Sequence, residues 1–159
     1  MPYEDTAVDT GKTKAQIEKL LKANGVEAVR FTSLPAVALI EFGKRKDKAS
    51  PLLAYRLTLA PRIKSSYKRY PEKALDKAER QVLRMAYWWL KAKFEAIAFG
   101  LVEFEQEMLP YMLMQNQRGD SEVVAKIFFE SMAGKLESQS DPFRGVRPML
   151  TSGGEAKEA

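Results

Sequence analysis

The stretch AVALIEF, residues 36–42, predicts the centre of a β-sheet. Its run Val37-Ala38-Leu39-Ile40 is apolar at consecutive positions, so both faces of the strand are suited to burial. The chain offers a second strand before it, residues 26–32, and a third after it, residues 53–60, in which apolar and polar residues alternate. Because the connections between these segments are short, the three strands are expected to form an antiparallel meander.

Helices are predicted on both sides of this sheet in the sequence. A first helix, capped by Thr10 or Thr13, ends at Asn24-Gly25, where glycine accepts a left-handed conformation. A long helix runs from Glu72 to Phe99 and is broken by Gly100. Its expected core positions keep helical spacing: Leu75, Ala78, Val82, Met85, Ala86, Trp89, Leu90, Phe94 and Ile97.

The rest of the chain predicts smaller elements. A short helix is expected over residues 101–109, a short strand over 111–114, and a last helix capped by Ser121. The side chains expected to face inward from the two helices include Leu101, Phe104, Met108, Val123, Val124, Ile127, Phe128 and Met132.

These elements together predict an α+β fold. A three- or four-stranded antiparallel sheet packs against a long helix and two or three shorter helices. Residues 11–134 are expected to form one domain, between a flexible arm at 1–10 and a polar, mobile tail at 135–159.

The residue types that are missing exclude many functions. The 159-residue chain contains no His and no Cys, which rules out Ser–His–Asp triads, Cys–His dyads and thiolate zinc sites. We therefore expect no catalytic residues, no metal and no cofactor. The acidic N-terminus is unlike a signal peptide and the apolar runs are too short to span a bilayer, so a soluble, cytoplasmic protein without membrane contact is expected.

Positive charge is concentrated in one quarter of the chain. The net charge is +5, but residues 41–80 alone carry 12 basic and 5 acidic side chains, a net charge of +7. Flexible cations neutralise phosphates and tyrosine rings stack on unpaired bases, so the segment suggests contact with nucleic acid. The alternative is a solvated, Lys-rich surface that serves solubility. The candidate residues are Lys44, Arg45, Lys46, Lys48, Arg56, Arg62, Lys64, Tyr67, Lys68, Arg69 and Tyr70.

A second candidate surface is aromatic and acidic. Tyr87, Trp88 and Trp89 are consecutive, so they cannot all face the core of one helix, and exposed aromatic residues are typical anchors of protein interfaces. A partner surface formed by Tyr87, Trp88, Glu103 and Glu107 is therefore the alternative hypothesis. A magnesium site at Glu103, Glu105 and Glu107 is the least favoured hypothesis, because helical spacing points Glu105 away from the other two.

The triplet Gly11-Lys12-Thr13 looks like the end of a phosphate-binding loop. The first glycine of that motif is missing, because position 6 is Thr, and no apolar strand precedes it. We interpret the triplet as the beginning of the first helix.

The order of these segments resembles a group of small phage and prophage proteins. The similarity lies in TGKTKAQIEKLLKANGVEAV, AVALIEF and YRLTLAP, then in RQVLRMAYWWLKAKFEAIAFG leading into VEFEQEMLPYMLM, and it covers most of residues 10–150. The chain departs from that pattern in a longer loop at 43–51 and an insertion at 62–71. The resemblance implies a phage accessory protein and supplies no catalytic residues.

Taken together, the sequence predicts a small non-enzymatic phage accessory protein. Its basic loop and linker are expected to contact nucleic acid, or a host nucleoprotein complex, through phosphates. The alternative is a protein-binding inhibitor of a host system, such as an anti-CRISPR or other anti-defence factor. A magnesium-dependent carboxylate enzyme is the third and least favoured reading.

Overall fold

A three-stranded antiparallel sheet and one long helix form the centre of the structure, a computed structural model that describes residues 7–34, 37–60 and 71–136. The fold class is α+β, as the sequence predicts. The elements in chain order are α1 (Thr10–Ala23), β1 (Val26–Leu34), β2 (Val37–Lys44), β3 (Leu53–Leu59), α2 (Pro71–Ala98), α3 (Phe104–Met108), a 3-10 helix (Leu109–Tyr111), β4 (Leu113–Gln115), β5 (Ser121–Val123) and α4 (Val124–Leu136). Most of the predicted arm at 1–10 and of the predicted tail at 135–159 lies in residues 1–6 and 137–159, which are outside the described residues. Their mobility therefore stays a prediction.

The apolar strand β2 is the central strand, which confirms the prediction from its sequence. The strand order is β1-β2-β3, and both neighbours pair with β2 in antiparallel register. The register opposes Phe31 to Ile40 on one side and Ile40 to Leu57 on the other. Because side chains alternate across a strand, this row of three faces the same side of the sheet.

The helices α1 and α2 cover this inner face of the sheet. The largest fully buried side chains include Ile17 and Leu21 of α1, Ile40 of β2, and Leu83 and Leu90 of α2. These residues belong to one continuous cluster with Phe42, Tyr55 and Phe104. Burial of this size supplies the main stabilisation of a small domain, because each large apolar side chain contributes about 1.5–3 kcal/mol.

The beginning of α1 differs from the expectation in its cap. Asp9, rather than Thr10 or Thr13, caps the helix, and its carboxylate accepts a hydrogen bond from the Gly11 amide at 2.9 Å. Thr13 is buried beneath the first turn. The triplet that looks like a phosphate-binding loop is therefore the first turn of a helix, as interpreted from its sequence.

The inward face of α2 is rotated from the predicted one at several positions. Ala74 and Leu83 are buried, although neither was expected to be, and Met85 is exposed. Ala78, Ala86, Leu90 and Phe94 are buried as expected. The residues of α2 that join the core cluster are Leu83, Ala86, Leu90 and Phe94, three or four residues apart, so the inward stripe passes through Leu83 and leaves Met85 outside it.

The long helix ends in a Schellman motif. The Leu101 amide donates to the Ala96 carbonyl at 3.1 Å and the Gly100 amide to that of Ile97 at 2.9 Å. Gly100 has a φ of 73°, which only glycine adopts without strain. The predicted break at Gly100 is confirmed. The expected inward position of Leu101 is wrong, because this turn directs the chain away from the core and leaves Leu101 76% exposed.

Residues 113–123 form a small two-stranded hairpin. The predicted strand at 111–114 corresponds to β4, which begins at Leu113 and pairs with β5 at Ser121, a residue expected to cap a helix. Just before β4, an antiparallel bridge between Met112 and Tyr55 joins this part of the chain to the main sheet. The helix α4 begins at Val124, and its Phe128 is 51% exposed rather than inward.

Within the described part of the chain, no helix combines the length and the apolar character that crossing a bilayer would require.

We expect Leu90→Ala to lower the free energy of unfolding by about 2–5 kcal/mol, because it leaves a cavity at the centre of the core. Leu101→Ala, at an exposed position of the same chain, should change it by less than about 0.5 kcal/mol. Urea denaturation followed by circular dichroism measures both values. Equal effects of the two substitutions would contradict this assignment of the core.

Candidate functional site

The outer face of the main sheet carries no helix in the described structure. The pairing register places on it the residues that alternate with the core: Ala28, Arg30, Thr32, Leu39, Glu41, Ala54, Arg56 and Thr58. Ala28, Arg30, Ala54 and Thr58 are exposed. This open face contains one of the predicted contact residues, Arg56.

A row of three charges crosses the middle of the outer face. Glu41 on the central strand stands between Arg30 and Arg56 on the two neighbours. The Arg30 Nε donates to Glu41 Oε2 at 2.6 Å, and the Arg56 Nε donates to Glu41 Oε1 at 2.9 Å. Glu41 is only 8% exposed, whereas the Arg30 side chain is 72% exposed. One carboxylate thus serves two guanidinium groups and leaves an excess of positive charge on this face.

The two arginines keep Glu41 ionised. Burial of the carboxyl group raises its pKa, but the hydrogen bonds from Arg30 and Arg56 and their positive charges outweigh that effect. The pKa of Glu41 therefore lies below its usual value. The sequence predicts Arg56 as a phosphate contact, but its Nε–H group donates to Glu41 within the sheet.

Lys44 does not belong to this surface, contrary to the prediction that groups it with the other cations. It lies three residues after Glu41 on the same strand and therefore faces the other side of the sheet. Its ammonium group lies 5.2 Å from the ring centroid of Phe104, a residue of the core. Alternation along the strand separates the two positions, and the sequence pattern did not take this into account.

The loop between β2 and β3 presents the next two lysines on an ordered tip. The Asp47 carboxylate accepts hydrogen bonds from the amides of Ala49 and Ser50 at 2.9 and 2.8 Å, which folds the loop around it. A hydrogen bond from the Ser50 side chain, followed by those from the Ser50 and Ala49 amides, holds the pKa of Asp47 below its usual value. Lys46 and Lys48 flank Asp47 and are exposed, and neither forms an ion pair with any described residue.

Arg45 connects this tip to the edge of the sheet. Its Nε lies 3.3 Å from a carboxylate oxygen of Glu27 on β1, and its Nη1 donates to the Ser50 carbonyl at 3.0 Å. Glu27 thus partly neutralises Arg45, which supports the loop through Ser50. Lys46 and Lys48 follow Arg45 in the chain.

The remaining candidates of the basic segment lie in residues 61–70, outside the described residues. They are Arg62, Lys64, Tyr67, Lys68, Arg69 and Tyr70. Their participation in a nucleic-acid surface stays a prediction.

The aromatic candidates lie on α2. Trp88 is 39% exposed, and its ring lies between two cations, with the Arg84 guanidinium 5.2 Å and the Lys91 ammonium 5.1 Å from its centroid. Tyr87 is half-buried against the core and meets Trp88 edge to face at 5.2 Å. The two rings therefore form one cluster with Arg84 and Lys91, and their role as an interface anchor stays a prediction.

The acidic candidates do not join that cluster. Glu107 forms an ion pair with Lys93, whose ammonium group lies 4.9 Å from the ring centroid of Trp89. Glu103 precedes α3 without capping it through its side chain. Across the described ranges, no group of three acidic side chains converges as a metal ion would require. Of the four residues of the predicted partner surface, only Tyr87 and Trp88 therefore lie together.

Sequence reasoning missed an apolar groove next to α2. The groove has a volume of about 390 Å³ and is lined by the end of β3, by α2 and by the 3-10 helix. Its lining residues are Leu57, Thr58, Leu59, Ala60, Val82, Met85, Ala86, Trp89 and Tyr111. We call this feature the apolar groove.

An exposed stripe on α2 was missed as well. Met85, Trp88, Ala92 and Phe99 are all exposed, and their spacing of three, four and seven residues places them on one side of the helix. We call these four residues the α2 stripe. Their heptad-like spacing was visible in the sequence, but Met85 had been assigned to the core.

Comparison with known proteins adds no assignment. No family model matches the chain, and neither the curated proteins nor the solved structures searched provide a significant match.

We expect Glu41→Gln to reduce the pH dependence of stability. The folded-state pKa of Glu41 is depressed, so its ionised form contributes stability above the unfolded-state pKa of about 4.3, and this contribution is lost as the pH falls through the lower folded-state value. Urea titrations at several acidic pH values should show a shallower fall for the variant than for the wild type. Parallel curves would contradict the role of the charge row.

Proposed function

We propose that this protein is a small, non-enzymatic phage accessory protein that binds nucleic acid through the tip of the β2–β3 loop and the adjoining outer face of the sheet. The observation that carries the proposal is the pair Lys46 and Lys48, which are exposed and form no ion pair within the described residues, on a loop that Asp47 orders. The phage origin rests on the resemblance of residues 10–150.

The charges around the loop support an anionic partner. Arg45 and Arg30 extend the two lysines along the same side of β1 and β2, while Glu27 and Glu41 neutralise only part of their charge. Charge that remains after internal pairing attracts a polyanion and releases its counterions on binding.

The mode of contact follows from what the outer face presents. Its described residues are arginines, a glutamate, threonines and small or aliphatic side chains, and none is aromatic. Stacking on bases therefore has no support on this face, whereas Lys and Arg are suited to phosphate oxygens. We infer binding to the backbone, with little preference for base sequence.

The test removes charge from the tip alone. We expect Lys46→Gln/Lys48→Gln to weaken binding to a fluorescent DNA duplex, because two phosphate contacts are lost. Fluorescence anisotropy over a range of salt concentrations should show the slope of log K against log salt reduced by up to about 1.8.

The matched control is Lys12→Gln/Lys19→Gln, which removes the same charge from exposed positions of α1. It should leave the salt slope close to that of the wild type. Absence of wild-type binding at low salt, or an equal loss in both variants, would overturn the proposal.

A further inference from the structure

We propose that the α2 stripe is the interface of a symmetric homodimer, in which Phe99 of each copy enters the apolar groove of the other. This inference does not depend on nucleic-acid binding. It rests on three features of the α2 stripe: an exposed apolar side chain at one end, an apolar groove beside its other end, and a small residue midway between them.

The first feature is the exposure of Phe99. Its ring is 85% exposed, the largest exposure of any large apolar side chain in the described structure, and the exposed Leu101 follows it. The Schellman motif that ends α2 holds both residues on an ordered turn. An isolated exposed apolar residue is unremarkable, but two on a rigid turn at the end of an apolar stripe indicate a contact surface.

The second feature is the apolar groove, which lies at the other end of the stripe. Met85 belongs to both, since it lines the groove and begins the stripe. The other walls of the groove are aliphatic and aromatic, with Leu57, Val82 and Trp89 among them. A groove of this composition and size is suited to one or two large apolar side chains.

The third feature is Ala92, seven residues from both Met85 and Phe99. In an antiparallel pair of α2 helices with its twofold axis beside Ala92, Met85 of one copy faces Phe99 of the other, about 10 Å from the axis along the helix. The small side chain of Ala92 lets the two helices approach closely where they cross. The same operation brings each groove to the other copy's Phe99, so the contact is closed and occurs twice.

Charge along the stripe agrees with this arrangement. Glu95 lies seven residues after Trp88, on the same side of α2 as the stripe, and Lys91 lies beside it. Within one chain the two side chains form only a loose pair at 3.8 Å. Antiparallel packing about Ala92 brings Lys91 of each copy near Glu95 of the other. Parallel packing would place Phe99 beside Phe99 and leave both grooves far from it, so the antiparallel pair is the one that the structure favours.

The first test is the oligomeric state of purified full-length protein. Sedimentation equilibrium should show a dimer for the wild type. Phe99→Lys should weaken dimerisation by at least about tenfold, as expected for an aromatic anchor that fills a pocket of its partner. Because Phe99 is exposed, the variant should keep the far-UV circular dichroism spectrum of the wild type.

The matched control is Phe129→Lys, which changes a ring on α4 that is 62% exposed. It should leave the dimer intact. A monomeric wild type, or equal dimerisation of the wild type and Phe99→Lys, would overturn the proposal and leave the stripe to a different partner.

A charge exchange tests the orientation of the two helices. Lys91→Glu should weaken the dimer, and Lys91→Glu/Glu95→Lys should restore it, because the exchange rebuilds both intermolecular pairs. Failure of the double variant to recover would contradict antiparallel packing.

A disulfide tests the position of the twofold axis. The natural chain has no cysteine, so Ala92→Cys introduces a single thiol. Under oxidising conditions it should form a covalent dimer much faster than Ala133→Cys, an exposed control on α4. Equal rates would place the axis elsewhere and contradict the proposal.

Discussion

The packing of Tyr55 connects the parts of this fold that are distant in sequence. Its ring stacks on Phe42 of the central strand at 5.3 Å and meets Phe104 of α3 edge to face at 5.5 Å. Its backbone also forms the bridge to Met112, through which the small hairpin joins the main sheet. Burial raises the pKa of the Tyr55 hydroxyl, with a smaller contribution from the charge of Glu105. A buried aromatic ring with contacts on three sides constrains the sheet, α3 and the hairpin together.

This packing determines which surfaces remain for function. The core occupies one face of the sheet, so the charged residues of the other face have to satisfy one another or remain in water. Glu41 is nearly buried there because two arginines surround it, which stabilises the ionised carboxylate. The lysines at the loop tip form no ion pair within the described residues, and this contrast is the physical basis for proposing that the tip contacts a ligand.

The helix α2 contributes to two surfaces: one side packs into the core, and the other carries the α2 stripe. Its buried residues Leu83, Leu90 and Phe94 anchor it to the core. On the opposite side, Phe99 is 85% exposed, and the partly exposed Trp88 ring contacts the Arg84 and Lys91 side chains. Exposing an apolar stripe of this kind to water is unfavourable in free energy. Packing a second copy against it would bury the stripes of both chains at once.

Much of the fold followed from local patterns. The apolar run at 37–40 predicted the central strand, and Gly100 predicted the end of the long helix. The errors have a common cause: they occur where two elements compete for one segment. Ser121 has the chemistry of a helix cap, yet its backbone pairs with Gln115 in a hairpin. Met85 fits the core spacing of α2, yet the path of the helix past α1 and the sheet leaves it exposed.

The candidate site was less predictable than the fold. Composition located the positive charge in residues 41–80 and, through the absence of His and Cys, excluded most catalytic mechanisms. It did not distinguish the cations from one another. Only the tertiary structure decided that Lys44 lies over a core ring, that Arg56 shares Glu41 with Arg30, and that Lys46 and Lys48 remain unpaired in the described residues. The physical reason is that composition and periodicity are properties of neighbours along the chain, whereas the partner of a charge and the burial of a ring depend on strands and helices brought together from distant positions.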